Sequence, residues 1–161
     1  MREPHSNYRV PPIDEHRERT ETFQWLSRVN RTFLKSTGMI MKDLVLQKVS
    51  HVEKAWGGIP LFETSEIVKQ VTSFQSVPLI VSEFKNPEGK DYIAVVNNSQ
   101  RENTEMEIQV EGEKMYNIGW MGKEILISAI RPGTGENLIK IRQWLAPGQM
   151  ELYRIEGQAV R

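Results

Sequence analysis

Carboxylates crowd the stretch Asp14, Glu15, Glu18 and Glu21. Two carboxyl groups held roughly 5 to 9.5 Å apart across a sugar are the machinery of glycoside hydrolysis. Here, however, the group sits at the start of an amphipathic segment, where acidic side chains are hydrated and complement the helix dipole. The expectation is a solvated turn running into a helix, with no catalytic residue. His5, His16 and His51 have no ligand spacing and the chain has no Cys, which argues against a zinc site. Asn86, Glu88 and Asp91 could offer oxygens to calcium, but the Asp-x-Asp-x-Asp ladder is absent and a turn is expected. Arg131-Pro132-Gly133-Thr134-Gly135-Glu136 lacks the lysine and the length of a phosphate loop and reads as a strand connection. No metal or other cofactor is expected.

The aromatic residues carry the remaining chemistry, because a flat ring stacks on the C–H face of a pyranose. Tyr116 and Trp120 share strand parity with Ile118 and are expected to point into a core. Trp144 has the opposite parity to Ile139, Ile141 and Leu145, which turns it to the other surface. Trp56 precedes Gly57-Gly58 in a loop. Trp56 and Trp144 are therefore the carbohydrate-binding candidates, weighed against ordinary packing of aromatic rings.

These residues must be positioned by one helix and a series of strands. Pro4, Pro11 and Pro12 oppose a helix in the first nineteen residues. From Thr20 to Lys35 the residues Phe23, Leu26, Val29 and Phe33 recur at helical spacing, with Trp25 and Leu34 widening the stripe. Thr20 is placed to cap this helix and Gly38 to end it. Residues 39–76 read as a connector with a strand near Val45–Val52 and a mostly irregular stretch from Glu63 to Phe74. After Val77 the period falls to two. Leu79–Phe84 and Tyr92–Asn97 read as a hairpin across Asn86-Pro87-Glu88-Gly89. Thr104–Val110 alternates Met106, Ile108 and Val110 against Glu105, Glu107 and Gln109, as a half-buried antiparallel strand does. Further short strands follow at roughly ten-residue spacing. The pattern predicts a mainly β fold: an antiparallel β-sandwich of Greek-key type over residues 77–157, preceded by residues 1–38 with one amphipathic α-helix.

Lysine and arginine equal aspartate and glutamate at 21 each. That balance gives no global pull toward nucleic acid or an anionic membrane. No apolar run approaches the ~20 residues that span a bilayer. Met1–Ser6 lacks the apolar core of a signal peptide, so the sequence sets no compartment.

Three segments resemble a known family. Arg19-Thr20-Glu21-Thr22-Phe23-Gln24-Trp25-Leu26-Ser27-Arg28-Val29-Asn30-Arg31 resembles the last helix of the (β/α)8 barrel in β-galactosidase-like glycoside hydrolases. Asp91-Tyr92-Ile93-Ala94-Val95-Val96-Asn97-Asn98-Ser99 is similar to a strand of their C-terminal β-sandwich. Leu145-Ala146-Pro147-Gly148-Gln149-Met150-Glu151-Leu152-Tyr153-Arg154-Ile155 resembles the closing hairpin of that domain, which also ends α-amylase-type enzymes. The resemblance implies a C-terminal segment: the tail of a barrel, a connector and a sandwich. The family's two catalytic carboxylates belong to the barrel and would lie upstream of Met1. A barrel of about 250 residues is longer than the whole of this chain. The expected role is thus a noncatalytic accessory domain with a structural, interdomain or oligomer-contact function. Phe23, Trp25 and Phe33 would face a catalytic barrel, a second copy or the sandwich itself. The alternative is a carbohydrate-binding module using exposed aromatics.

Overall fold

The computed structural model describes residues 11–127 and 137–157. Its helical segment comprises α1 (Glu21–Phe33), a wider π-turn (Leu34–Gly38) and a short α2 (Met39–Met41). Nine strands follow: β1 Val45–Val52, β2 Val68–Ser73, β3 Leu79–Lys85, β4 Asp91–Asn97, β5 Thr104–Glu111, β6 Lys114–Ile118, β7 Glu124–Leu126, β8 Leu138–Leu145 and β9 Met150–Glu156. They form a six-stranded sheet in the order β1-β3-β4-β9-β6-β7 and a three-stranded sheet in the order β2-β5-β8. Every strand pairing in both is antiparallel. The expected β-sandwich preceded by an amphipathic helix is the architecture observed.

The alternation in the sequence explains the core. Met106, Ile108 and Val110 of β5, with Ile139, Ile141 and Leu145 of β8, turn inward to meet Leu79, Val81, Ile93 and Val95 of the larger sheet. Burying such branched side chains between two sheets is the main stabilising term of a sandwich. β4 departs from simple alternation, because Tyr92 and Ala94 are also buried. Those two lie on its outer face with Ile118 and Leu152, beneath Ile40, Met41 and Leu44 from the helical segment. The larger sheet is therefore apolar on both faces, and residues 40–44 cover the middle of the second.

Several local expectations are corrected. The stretch Glu63–Phe74 contains β2, which pairs with β5; its short β-branched run gains its order from that partner. Thr20 makes no capping bond, and its hydroxyl donates instead to the Pro11 carbonyl at 2.5 Å. Gly38 does not stop the helix. It is right-handed helical at φ −61°, and a Cβ there would lie 2.9 Å from the Phe33 ring. Its smallness admits the ring, so close approach and not positive φ accounts for the glycine. The closing segment is not a hairpin. β8 pairs with β5 and β9 with β4 and β6, so Ala146-Pro147-Gly148 turns the chain from one sheet to the other.

That corner is tied down by Asn97, which is fully buried at the end of β4. Its Nδ2 donates to the Glu102 carbonyl at 2.8 Å and to the Leu145 carbonyl of the opposite sheet at 3.2 Å. Its Oδ1 accepts from the Ser99 amide at 2.9 Å. Its own backbone amide and carbonyl bond Gln149 and Gly148. One side chain thus joins a strand end, a loop and the inter-sheet corner. Replacing it strands buried donors and acceptors, so Asn97→Ala should cost about 3 kcal/mol. Urea unfolding measures this; a loss below about 0.5 kcal/mol, as at ordinary surface positions, contradicts the assignment.

Candidate functional site

The first part of the site is a helix with no buried residue and no strand packed closely on it among the described residues. At about 100° per residue, Trp25, Val29, Phe33, Leu26, Phe23 and Leu34 spread over roughly half of α1's circumference. Gln24, Arg28, Arg31 and Lys35 occupy the other half. An apolar face this wide ordinarily packs against a core. In this chain no residue of α1 is buried. Trp25, Leu26, Val29, Phe33 and Leu34 are all exposed, and Phe23 is half-buried, with the Arg19 guanidinium 4.6 Å from its ring centre. The geometry follows from the fold. After α1 the chain crosses the outer face of the sheet through Ile40, Met41 and Leu44 before it enters β1, and α1 projects beyond the patch they cover.

The second part is a groove of about 610 Å³ between α1 and the β6–β9 side of the larger sheet. Trp25, Val29 and Phe33 line it from the helix, and Ile118 and Met150 from the strands. Trp120 lines it from the turn Trp120–Gly122 after β6. Trp25 and Trp120 are 55% and 56% exposed, so both indole rings are open to solvent along one groove. The Arg28 guanidinium lies 5.3 Å from the Trp25 ring centre and the Lys35 ammonium 5.9 Å from that of Trp120. Polar groups share the groove. Asn117 Nδ2 donates to Glu151 Oε2 at 2.7 Å, and Gln149 Nε2 donates to Glu151 Oε1 at 2.6 Å. The carboxylate is held in place with lone pairs to spare. Volumes of 300–1,000 Å³ with a few fixed polar groups are typical of small-ligand sites.

Sequence parity placed Trp120 in the core, and the structure moves it outside. β6 ends at Ile118, and the turn that follows carries Met121 at φ 60° and Gly122 at φ 68°. Parity has no meaning across a turn; the two flanking glycines were the available signal. Tyr116 is likewise not a core residue: it pairs across the outer face with Arg154, whose guanidinium lies 4.3 Å from the ring centre. Asn117 and Glu151 belong to strands distant in sequence, and only the β6–β9 pairing brings them together.

Trp56 and Trp144 are exposed, at 75% and 51%. They lie on separate elements. Trp144 stands opposite Glu105 on the outer face of the small sheet, and Trp56 lies in the loop between β1 and β2.

The carboxylates have structural partners. Asp14 Oδ1 accepts from the amides of His16 and Glu18, closing a turn. Glu21 accepts from the Trp25 indole at 3.2 Å. Asn86 Oδ1 accepts from the amides of Glu88 and Lys90, while Glu88 pairs with Lys90 and Asp91 with Lys85. Glu107 is clamped by Lys140 at 2.6 Å and Arg142 at 2.8 Å, which hold its carboxyl below the usual range. Arg154 binds Glu124 through two nitrogens and Glu156 through one. His51 is buried on β1 with neither ring nitrogen hydrogen-bonded. Among the described residues no three of His, Asp and Glu are grouped to hold a metal. Residues 131–136 and His5 lie outside the described residues.

Glu83 and Asp91 are buried acids on the inner side of the larger sheet, Glu83 beside Leu79 and Val81 on the same face of β3. Ser65 Oγ donates to Glu83 at 2.8 Å. Burial raises its carboxyl above the usual value, and the Ser65 hydroxyl offsets this in part. A raised acid binds more protons folded than unfolded, so its ionisation lowers stability as pH rises from the unfolded value through the folded one. Glu83→Gln keeps an acceptor for Ser65 without the charge. It should raise the unfolding midpoint at pH 7, with the gain fading below pH ~4, where both residues are neutral. Thermal melts across that range check the sign; a gain independent of pH, or a loss at pH 7, contradicts it.

Comparisons with family models, with curated proteins and with solved structures found no match.

Proposed function

We propose that this chain is a noncatalytic C-terminal β-sandwich accessory domain of a glycoside-hydrolase-like protein, and that α1 is the element by which it leans on a catalytic body. The observation that carries this reading is the unburied apolar half of α1. A helix exposing Leu26, Val29, Phe33 and Leu34 together leaves contiguous apolar surface in water, which marks an interaction face. The order of motifs supports the parent class: a barrel-end helix, a connector, a strand ending Val96-Asn97-Asn98, and the closing segment from Leu145. The described carboxylates support a noncatalytic role, since Glu83, Asp91, Glu107 and Glu151 of the sheets are each engaged by a neighbouring hydroxyl, amide or cation and Glu151 is the acid among the groove's lining residues. A carbohydrate-binding module acting through Trp56 and Trp144 is the second reading, favoured by the exposure of both rings.

In isolation the helix face should find a substitute partner in another copy. Sedimentation is expected to show concentration-dependent association. Replacing Leu26 and Leu34 with Lys should abolish it and leave the unfolding midpoint of the sandwich nearly unchanged, since neither side chain is buried. The purified chain should not hydrolyse nitrophenyl glycosides. A clean monomer at all concentrations with α1 shielded from solvent, or turnover by the chain alone, contradicts the reading.

A further inference from the structure

We propose that the groove between α1 and the β6–β9 side of the larger sheet is a binding site for a neutral saccharide, with Trp25 and Trp120 as stacking platforms and Glu151 with Asn117 as the hydroxyl-recognising pair. The inference rests on the groove's lining and not on the assignment of the chain as an accessory domain.

The lining combines two chemistries that a pyranose also combines. Its C–H faces are flat and apolar and stack on aromatic rings; its hydroxyls both donate and accept. Trp25 and Trp120 supply two rings, each more than half exposed, on opposite sides of one groove. Preformed exposure matters, because no ring need leave a core to bind. Glu151 supplies acceptors, and its carboxylate is oriented before any ligand arrives by Asn117 at 2.7 Å and Gln149 at 2.6 Å. Each carboxylate oxygen accepts several hydrogen bonds, so sugar hydroxyls can add to the two already made. Asn117 keeps its amide oxygen as a further acceptor.

The same polar pair argues against an apolar protein segment as occupant. Closing the groove with aliphatic side chains would remove water from Glu151 and return no donor, which is costly for a charged group. A saccharide replaces that water with hydroxyls. The carboxylate disfavours an anionic sugar at the same position. Of the four residues of the association face, Val29 and Phe33 also line the groove whereas Leu26 and Leu34 do not, so substitutions at those two act on association without touching the groove lining.

The test is a titration of the full chain with trimers of β-linked glucose, galactose, mannose and xylose, following tryptophan fluorescence. At least one sugar should give a saturable change. Trp120→Ala should weaken that binding about tenfold, the loss of one stacked ring, and Glu151→Gln should weaken it several-fold. Trp56→Ala and Trp144→Ala should leave the affinity unchanged. Trp25→Ala provides a second variant should Trp120→Ala disturb its turn, since α1 contributes no buried side chain. The Leu26→Lys, Leu34→Lys chain should bind as the parent does, which separates this site from the association face. No saturable response to any of the sugars overturns the proposal. So does a response that survives at both Trp120 and Trp25 and is lost at Trp56 or Trp144, or a free protein whose groove tryptophans are already shielded by another copy.

Discussion

A β-sheet that is apolar on both faces must be covered on both, and this requirement organises the molecule. The inner face of the six-stranded sheet, with Leu79, Val81, Ile93 and Val95, is covered by the small sheet. The outer face, with Tyr92, Ala94, Ile118 and Leu152, needs something else. Ile40, Met41 and Leu44 supply it. The chain must therefore enter the sandwich across the outside of its own sheet. That single constraint fixes where the helical segment lies, why α1 overhangs, and why a groove opens under it.

The remainder of the outer face is closed by polar means. Arg154 sits on β9 among Tyr116, Glu124 and Glu156 and is itself nearly buried. Its long stem covers the sheet while its fork is matched by Glu124, an arrangement suited to guanidinium and not to lysine. The outer face of the small sheet follows the same logic through Glu107, Lys140 and Arg142. Paired charges cover much of these regions. The apolar surface of α1 differs in kind: cations approach the Phe23 and Trp25 rings, but Leu26, Val29 and Leu34 stay exposed. The surfaces proposed for association and for saccharide binding both derive from α1 and the segment beneath it.

Where one strand faces one environment, the sequence was readable. β5 alternated cleanly, the β3–β4 hairpin carried its own turn chemistry, and parity alone turned Trp144 outward. Legibility failed where tertiary context overrode local pattern. β2 is too short and mixed to announce itself without β5 beside it. Gly38 looked like a helix stop because positive φ is a glycine's commonest use, and the packing of Phe33 is invisible locally. Trp120 was misassigned because its strand ends two residues earlier. The groove was out of reach altogether, since it joins α1 to strands β6 and β9, which lie far along the chain. The wide stripe of α1, by contrast, was plain in the sequence, though the stripe alone left open whether the following sheet or another body would cover it.

The central claim is that α1 buries no residue against the rest of the described chain, whereas the strands beneath it do. Amide hydrogen exchange on the isolated chain measures this directly, because protection reports the free energy of local opening. The account predicts fast exchange along residues 21–33 at low protein concentration, against the slowest exchange in β4 and β9. Equal protection of α1 and the central strands, unchanged on dilution, would contradict it.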